Sequence, residues 1–313
     1  MIIRDASNIE KGRFAGTVVT IGVFDGVHAG HQDVIGRAMS IKEETKASAA
    51  IVLTFDRHPM SVTHPEMVPP LLTTLDEKLS LLDSLDVDYI IVERFSKGIA
   101  GMGYRDYIHR MLVARLGMAH LVVGYDFHLG KGREGSQERL VAEGRETGFG
   151  VTIVPPMVMG GRVVSSTKIR RAVMERKFDQ ARRCLSRPYF FDAEVVHGSG
   201  LGRTLDFPTA NVAVGSTEKL MPPPGVYAVR VQLAEGVFGG MMNIGSAPTM
   251  HDDPQRRIEV HIFGFSDDLY GRRVRIRCIE FIREEERFSG AVELRTQLVH
   301  DRRTVMEILE KKH

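Results

Sequence analysis

The sequence predicts an α/β domain followed by a mainly antiparallel β domain. Three observations carry this. Apolar runs at 17–24, 50–55, 88–93, 120–124 and 150–155 alternate with stretches of helical period. Strands that alternate with helices predict a parallel sheet covered on both faces. Beyond Ser186-Arg187-Pro188 the pattern changes to short extended runs at 189–196, 225–233, 237–244, 257–265 and 272–282, separated by Gly/Pro/Asp clusters. That pattern predicts an antiparallel sheet or barrel. The chain end is helical again, with Leu294, Leu298, Val305 and Ile308 on one face. The boundary is expected near 186, giving domains 1–186 and 187–313.

Between the early strands, Val34, Ala38 and Ile41 repeat at helical spacing, as do Leu75, Leu79, Leu82 and Leu85. Tyr104, Tyr107, Ile108, Met111 and Leu112 do so more clearly. The 313 residues suffice for two domains, and 43% hydrophobic with 26% charged residues describes a globular protein with ample core. Forty-two basic residues stand against 40 acidic ones, which argues against a bulk nucleic-acid binder with its concentrated basic face. Cys184 and Cys278 match no metal spacing and read as reduced core thiols. No stretch has the length of a membrane span, and a cytoplasmic location is expected.

The first chemical signal runs from Gly22 through Phe24, Asp25 and Gly26 to His28, Gly30 and His31. A buried strand enters a glycine turn, and a His-x-Gly-His step opens a helix. Two imidazoles and free backbone N–H groups then meet at a helix N-terminus, where a phosphate chain is stabilised. Gly30 lets the backbone approach a ligand closely. The plain alternative is a pair of surface or capping histidines. A second signal is Ser165-Ser166-Thr167 followed by Arg170. Hydroxyls at a helix start are ordinary caps, but with an arginine one turn on they form a phosphate clamp. The segment Gly124-Tyr125-Asp126-Phe127 also falls at the carboxyl end of an expected strand, where α/β sheets bind ligands.

The second half carries a glycine-rich His197–Arg203 stretch that includes Gly202, then Leu205-Asp206-Phe207-Pro208-Thr209-Ala210-Asn211. In an extended segment Thr209 and Asn211 point to one side. Their neutral oxygens suit a Mg²⁺ that keeps waters and ATP phosphate oxygens. A cap or a turn is the plainer reading of the same residues.

These motifs resemble, over nearly the whole chain, the prokaryotic bifunctional riboflavin kinase/FAD synthetase family. The first half is similar to its FMN adenylyltransferase module through Gly22–His31, Thr54–Pro59, Val123–Phe127 and Ser165–Arg170. The second half is similar to its kinase module through Leu205–Asn211, Met221–Ala228, Asn243–Gly245, Ile258–Ile262 and Asp268–Gly271. The resemblance implies a Rossmann-like nucleotidyltransferase sheet, then a six-stranded barrel with a terminal helix. It implies that His28 and His31 polarise ATP phosphates, with Ser165, Ser166, Thr167 and Arg170 opposite. Asp126 would lie near the flavin phosphate and nucleotide. Thr209 and Asn211 would bind Mg-ATP, and Glu259 would act as base on the ribityl hydroxyl of riboflavin. Gly202, Arg203, Pro208 and Asn243 would complete the kinase site. Riboflavin, FMN, FAD and ATP are the implied ligands, and a monomer or weak homo-oligomer is expected.

The chain departs from many members at Val23, where Asn is common, and at Asp56, where Glu is common. Ser199, Gly200 and Leu201 replace polar or basic loop residues. Two other functions fit parts of the pattern: a nucleotidyltransferase with a different phosphorylated acceptor, and a flavin carrier without turnover.

Overall fold

A computed structural model describes residues 1–6, 9–10, 12–197, 207–246 and 256–312. The chain divides into two compact units, Met1–Ser166 and Thr167–His313.

The first unit is built on six strands: β1 (Ile2–Ile3), β2 (Thr17–Ile21), β3 (Ala50–Phe55), β4 (Tyr89–Glu93), β5 (Met118–Gly124) and β6 (Gly150–Val154). Their order is β1-β4-β3-β2-β5-β6, and every pairing is parallel. All residues of β2 and β3 are buried, as central parallel strands require. Alternation sends Val19 and Ile21 to one face, with Ile108, Met111, Leu112 and Leu116. Val18 goes to the other, with Val34, Ala38 and Ile41 of the first helix (Ala29–Thr45). The expected helical stretch after Tyr104 is interrupted by a π turn over Ile108–Val113. The chain crosses from one side of the sheet to the other between β4 and β5, so β2 and β5 flank the switch point. Ligand crevices open at the carboxyl ends of such strands.

A two-stranded hairpin, β7 (Val158–Met159) and β8 (Arg162–Val163), precedes the second unit. That unit is a closed barrel of β9 (Tyr189–Val196), β10 (Ala210–Ala213), β11 (Gly225–Leu233), β12 (Gly236–Ser246), β13 (Arg256–Ile262) and β14 (Arg273–Arg283). Its order is β10-β13-β12-β11-β14-β9, antiparallel throughout. Closure removes the exposed edges of the sheet. The terminal helix (Ala291–Lys311) sets Leu298, Val305, Ile308 and Leu309 against the outer-face residues Phe207, Val226, Ala228 and Met241. Buried Asp301 pins this helix. It accepts Arg283 Nε at 3.1 Å and Nη2 at 2.8 Å, and Gln297 Nε2 at 2.8 Å. Such two-pronged guanidinium–carboxylate contacts fix geometry as well as energy.

Cys278 is buried, and burial pushes its thiol up to about 12; Cys184 is half-buried. Among the described residues, no helix is long and apolar enough to cross a membrane.

Candidate active sites

The first site grows from the end of β2. Gly22 N donates to Leu53 O at 3.1 Å, the last backbone tie to β3 before the chain turns away. The turn then visits the left-handed region three times, at Phe24 (φ 51°), Gly26 (φ 85°) and Val27 (φ 38°). A β-branched residue adopts such a φ only when its surroundings over-determine it. Here they do. The Asp25 carboxylate accepts Leu72 N at 3.1 Å and Thr73 N at 3.0 Å. Thr73 Oγ1 accepts Gly26 N at 3.0 Å. Ser166 Oγ donates to Asp25 O at 2.9 Å, and Gln32 Nε2 donates to Val27 O at 2.9 Å.

This turn delivers His28 as the N-cap of the first helix. His28 Nδ1 accepts the backbone N–H of His31 at 3.2 Å. With Nδ1 an acceptor, a neutral His28 carries its proton on Nε2. The two imidazoles stack, with centroids 3.5 Å apart and planes 16° off parallel. Phe24 meets His31 edge-on at 5.3 Å. A Cβ at Gly30 would lie 3.3 Å from His28 Cε1, and one at Gly22 would lie 3.1 Å from the Phe24 ring. A side chain at either position would press on the ring above it. No acidic residue occupies the first turn of the helix.

Asp126 is exposed, just past β5, the parallel neighbour of β2. Ser165 is half-buried. Thr167 is exposed and Arg170 half-buried on the helix Ser166–Met174, and both belong to the second unit. Glu93 Oε2 at the end of β4 and the Tyr107 hydroxyl are buried without a hydrogen-bond partner among the described residues. Burial raises the proton affinity of both groups. Their spacing in the sequence reads only as apolar pattern, so neither stood out there.

The second site lies on the outer wall of the barrel. Asn211 pairs in register with Glu259, and Glu259 pairs with Asn243. Directly opposed residues share a face. Three expected site residues thus form one row across β10, β13 and β12. Buried Ile258, Val260 and Ile262 take the opposite face of β13. The pairing register puts Glu259 on the same face as Asn211 and Asn243. Arg257 Nη2 contacts Glu259 Oε1 at 2.7 Å, and its Nε donates to Asn211 Oδ1 at 3.4 Å.

No spacing in the sequence marks His261, which alternation puts on the same face of β13 as Glu259. Its Nδ1 donates to Pro208 O at 2.8 Å, since a carbonyl only accepts. Burial lowers its pKa, partly offset by that bond. Phe207 packs edge-on against its ring at 5.3 Å. The half-buried Thr209 follows directly. Gly202 and Arg203, with Ser199, Gly200 and Leu201, lie outside the described residues. Among the described residues no cluster of three His, Cys, Asp or Glu side chains is placed to hold a metal. The neutral oxygens of Thr209 and Asn211 fit a cation that draws its charge compensation from a bound phosphate chain.

Comparison with known proteins matches both halves separately. A family model for FAD synthetase matches residues 11–168, and one for riboflavin kinase matches residues 185–309. A bifunctional riboflavin kinase/FMN adenylyltransferase from Escherichia coli (strain K12) is 37% identical over 309 residues, 98% of this chain and 97% of its own. One from Bacillus subtilis (strain 168) is 35% identical over 295 residues, 93% of this chain and 92% of its own. A crystal structure described as a macrolide-efflux protein from Streptococcus pneumoniae is similar over 98% of each chain, at TM-score 0.87 and 27% identity.

Proposed function

Because the chain belongs to the bifunctional riboflavin kinase/FMN adenylyltransferase family and carries both activities, we propose which residues perform each one. The barrel row of Asn211, Glu259 and Asn243 carries the kinase assignment. Glu259 takes the proton from the ribityl 5′-hydroxyl of riboflavin as that oxygen attacks the γ-phosphorus of ATP. FMN forms and ADP leaves. A carboxylate suits this task because the alcohol must lose its proton as the bond forms. Thr209 and Asn211 would hold the Mg²⁺ of Mg-ATP, which supplies charge neutralisation on the phosphate oxygens when bound. His261, through Pro208, fixes the start of that segment. Asn243, with Gly202 and Arg203, completes the nucleotide and flavin contacts.

In the first unit, the phosphate oxygen of FMN attacks the α-phosphorus of ATP, and pyrophosphate leaves as FAD forms. That phosphate is ionised at neutral pH, so no strong general base is needed. The task is positioning and electrostatics. His28, His31 and the helix N–H groups stabilise the charge that builds on the α-phosphate. Gly22, Phe24, Asp25, Gly26 and Gly30 shape that turn. Within this unit Ser165 and Ser166 hold the phosphates from the other side, and Asp126 faces the flavin phosphate and nucleotide. The domains are read as 1–186 and 187–313. The balanced charge supports an enzyme for small molecules rather than a bulk nucleic-acid binder; a cytoplasmic location, no membrane partner and a monomer or weak homo-oligomer complete the proposal.

The test is to incubate the purified chain with riboflavin, ATP and Mg²⁺ and separate the flavins. FMN and then FAD should accumulate, with ADP and pyrophosphate released. Flavin binding without turnover would instead mark a carrier.

A further inference from the structure

We propose that Lys78 is a positioning residue for adenylyl transfer, locking together the two strand ends that carry the first site. It sits on the first turn of the helix Leu75–Asp83, whose start is set by a reciprocal capping box between Thr74 and Glu77. Lys78 is 6% exposed, and its ammonium is directed inward. Nζ donates to Val23 O at 3.2 Å and to Phe55 O at 2.9 Å. Val23 belongs to the turn that delivers His28. Phe55 ends β3 and opens the Asp56–Pro59 segment. One cation therefore ties both phosphate-side loops where β2 and β3 stop pairing.

The tie matters because the turn is strained, and its other supports hold Asp25, Gly26 and Val27 rather than the Val23 end. Val23 O accepts only one further described donor, Thr54 Oγ1 at 3.3 Å. A buried ammonium is costly unless it is hydrogen-bonded and countered. Asp25, from the β2 turn, and Asp56, beyond β3, supply the countering field. Arg57 is itself paired with Asp56 at 3.0 Å. Glu77, the adjacent carboxylate on the same helix, is engaged by Thr74 N at 2.9 Å. Burial nonetheless outweighs these charges and brings the Lys78 ammonium down to about 8. Loss of its proton replaces charge-assisted bonds by neutral ones, roughly half as strong. Activity should thus fall as pH rises past about 8. Stability should move the other way. A lysine whose folded pKa is lowered lets the folded state gain stability as pH rises from about 8 toward its ordinary 10.5. A merely structural role for Lys78 would not depress activity in that window.

This inference rests on the reading of His28 and His31 as the ATP-phosphate groups. The experiment measures FAD formation from FMN and Mg-ATP by the full chain, from pH 7 to 9.5, for wild type, Lys78→Met, Lys78→Arg and His28→Ala. Lys78→Met should lower kcat about 10- to 100-fold, as a displaced turn does, with KM for ATP within about threefold. The wild-type decline above pH 8 should be absent from its residual activity. Lys78→Arg stays charged throughout, so its decline should move beyond pH 9.5. That variant keeps the test open if Lys78→Met does not fold. Wild-type kcat in Lys78→Met, or an unmoved decline in Lys78→Arg, overturns the inference. His28→Ala separates the two failures. Unchanged FAD formation there sinks the histidine reading itself, whereas a loss there with full activity in Lys78→Met sinks the lysine inference alone.

Discussion

Arg257 Nη2 stands 2.7 Å from Glu259 Oε1 while its Nε reaches Asn211 Oδ1 at 3.4 Å. One guanidinium thus bridges the carboxylate proposed as base and the amide proposed to face the metal. Both partners are partly solvated, with side chains 43% and 25% exposed, so the pair holds at most about 1 kcal/mol. Arg257→Ala should therefore change kinase kcat/KM by less than about fivefold. A rise of more than tenfold in KM for ATP would show instead that Arg257 binds phosphate. Steady-state kinetics with varied Mg-ATP decides.

A Cβ at Gly30 would press on the His28 ring, 3.3 Å from Cε1. Gly30→Ala should push the imidazole aside and reduce FAD formation by up to about 10²-fold, the cost of an ångström-scale misplacement. FMN formation should be untouched. Equal loss of both activities would contradict this, as would none of either.

Thr73 serves the strained turn twice, accepting Gly26 N and donating to Asp25 Oδ1 at 3.3 Å. Thr73→Val keeps the shape and removes both bonds in a buried setting. The expected loss is about 1–3 kcal/mol of stability in the first unit, read by thermal or denaturant unfolding. A change below about 0.5 kcal/mol would mean that the turn holds its left-handed residues by other means.

His261 predicts a pH effect on the barrel. Its folded pKa lies below the ordinary 6.5, chiefly through burial. The unfolded chain therefore binds more protons between the two values, and stability falls as pH drops from about 6.5 through the folded pKa. Unfolding midpoints between pH 5 and 7.5 should show this slope, and His261→Phe should flatten it. An unchanged slope in the variant contradicts the assignment.

Much of this architecture is legible in the chain because burial writes period and run length directly. The runs at 50–55, 189–196 and 225–233 coincide with β3, β9 and β11. Two strands were harder to see. β1 has only two residues, and β10 has four, Ala210–Ala213, too few for alternation to show. The His28–His31 step was visible because its chemistry is local. Lys78, Arg257 and His261 were not. Each acts through a bond to a residue 46 or more positions away, and no local spacing records such a partner.

The central claim is that two independent sites share this chain, one at His28 and one at Glu259. It is tested most directly by assaying FMN and FAD formation separately in His28→Ala and Glu259→Gln. His28→Ala should lose FAD formation by about 10²–10³ and keep FMN formation. Glu259→Gln should lose FMN formation by about 10²–10⁴ and still convert supplied FMN to FAD. If either substitution abolishes both activities in a folded protein, or neither activity changes, the two-site assignment is wrong.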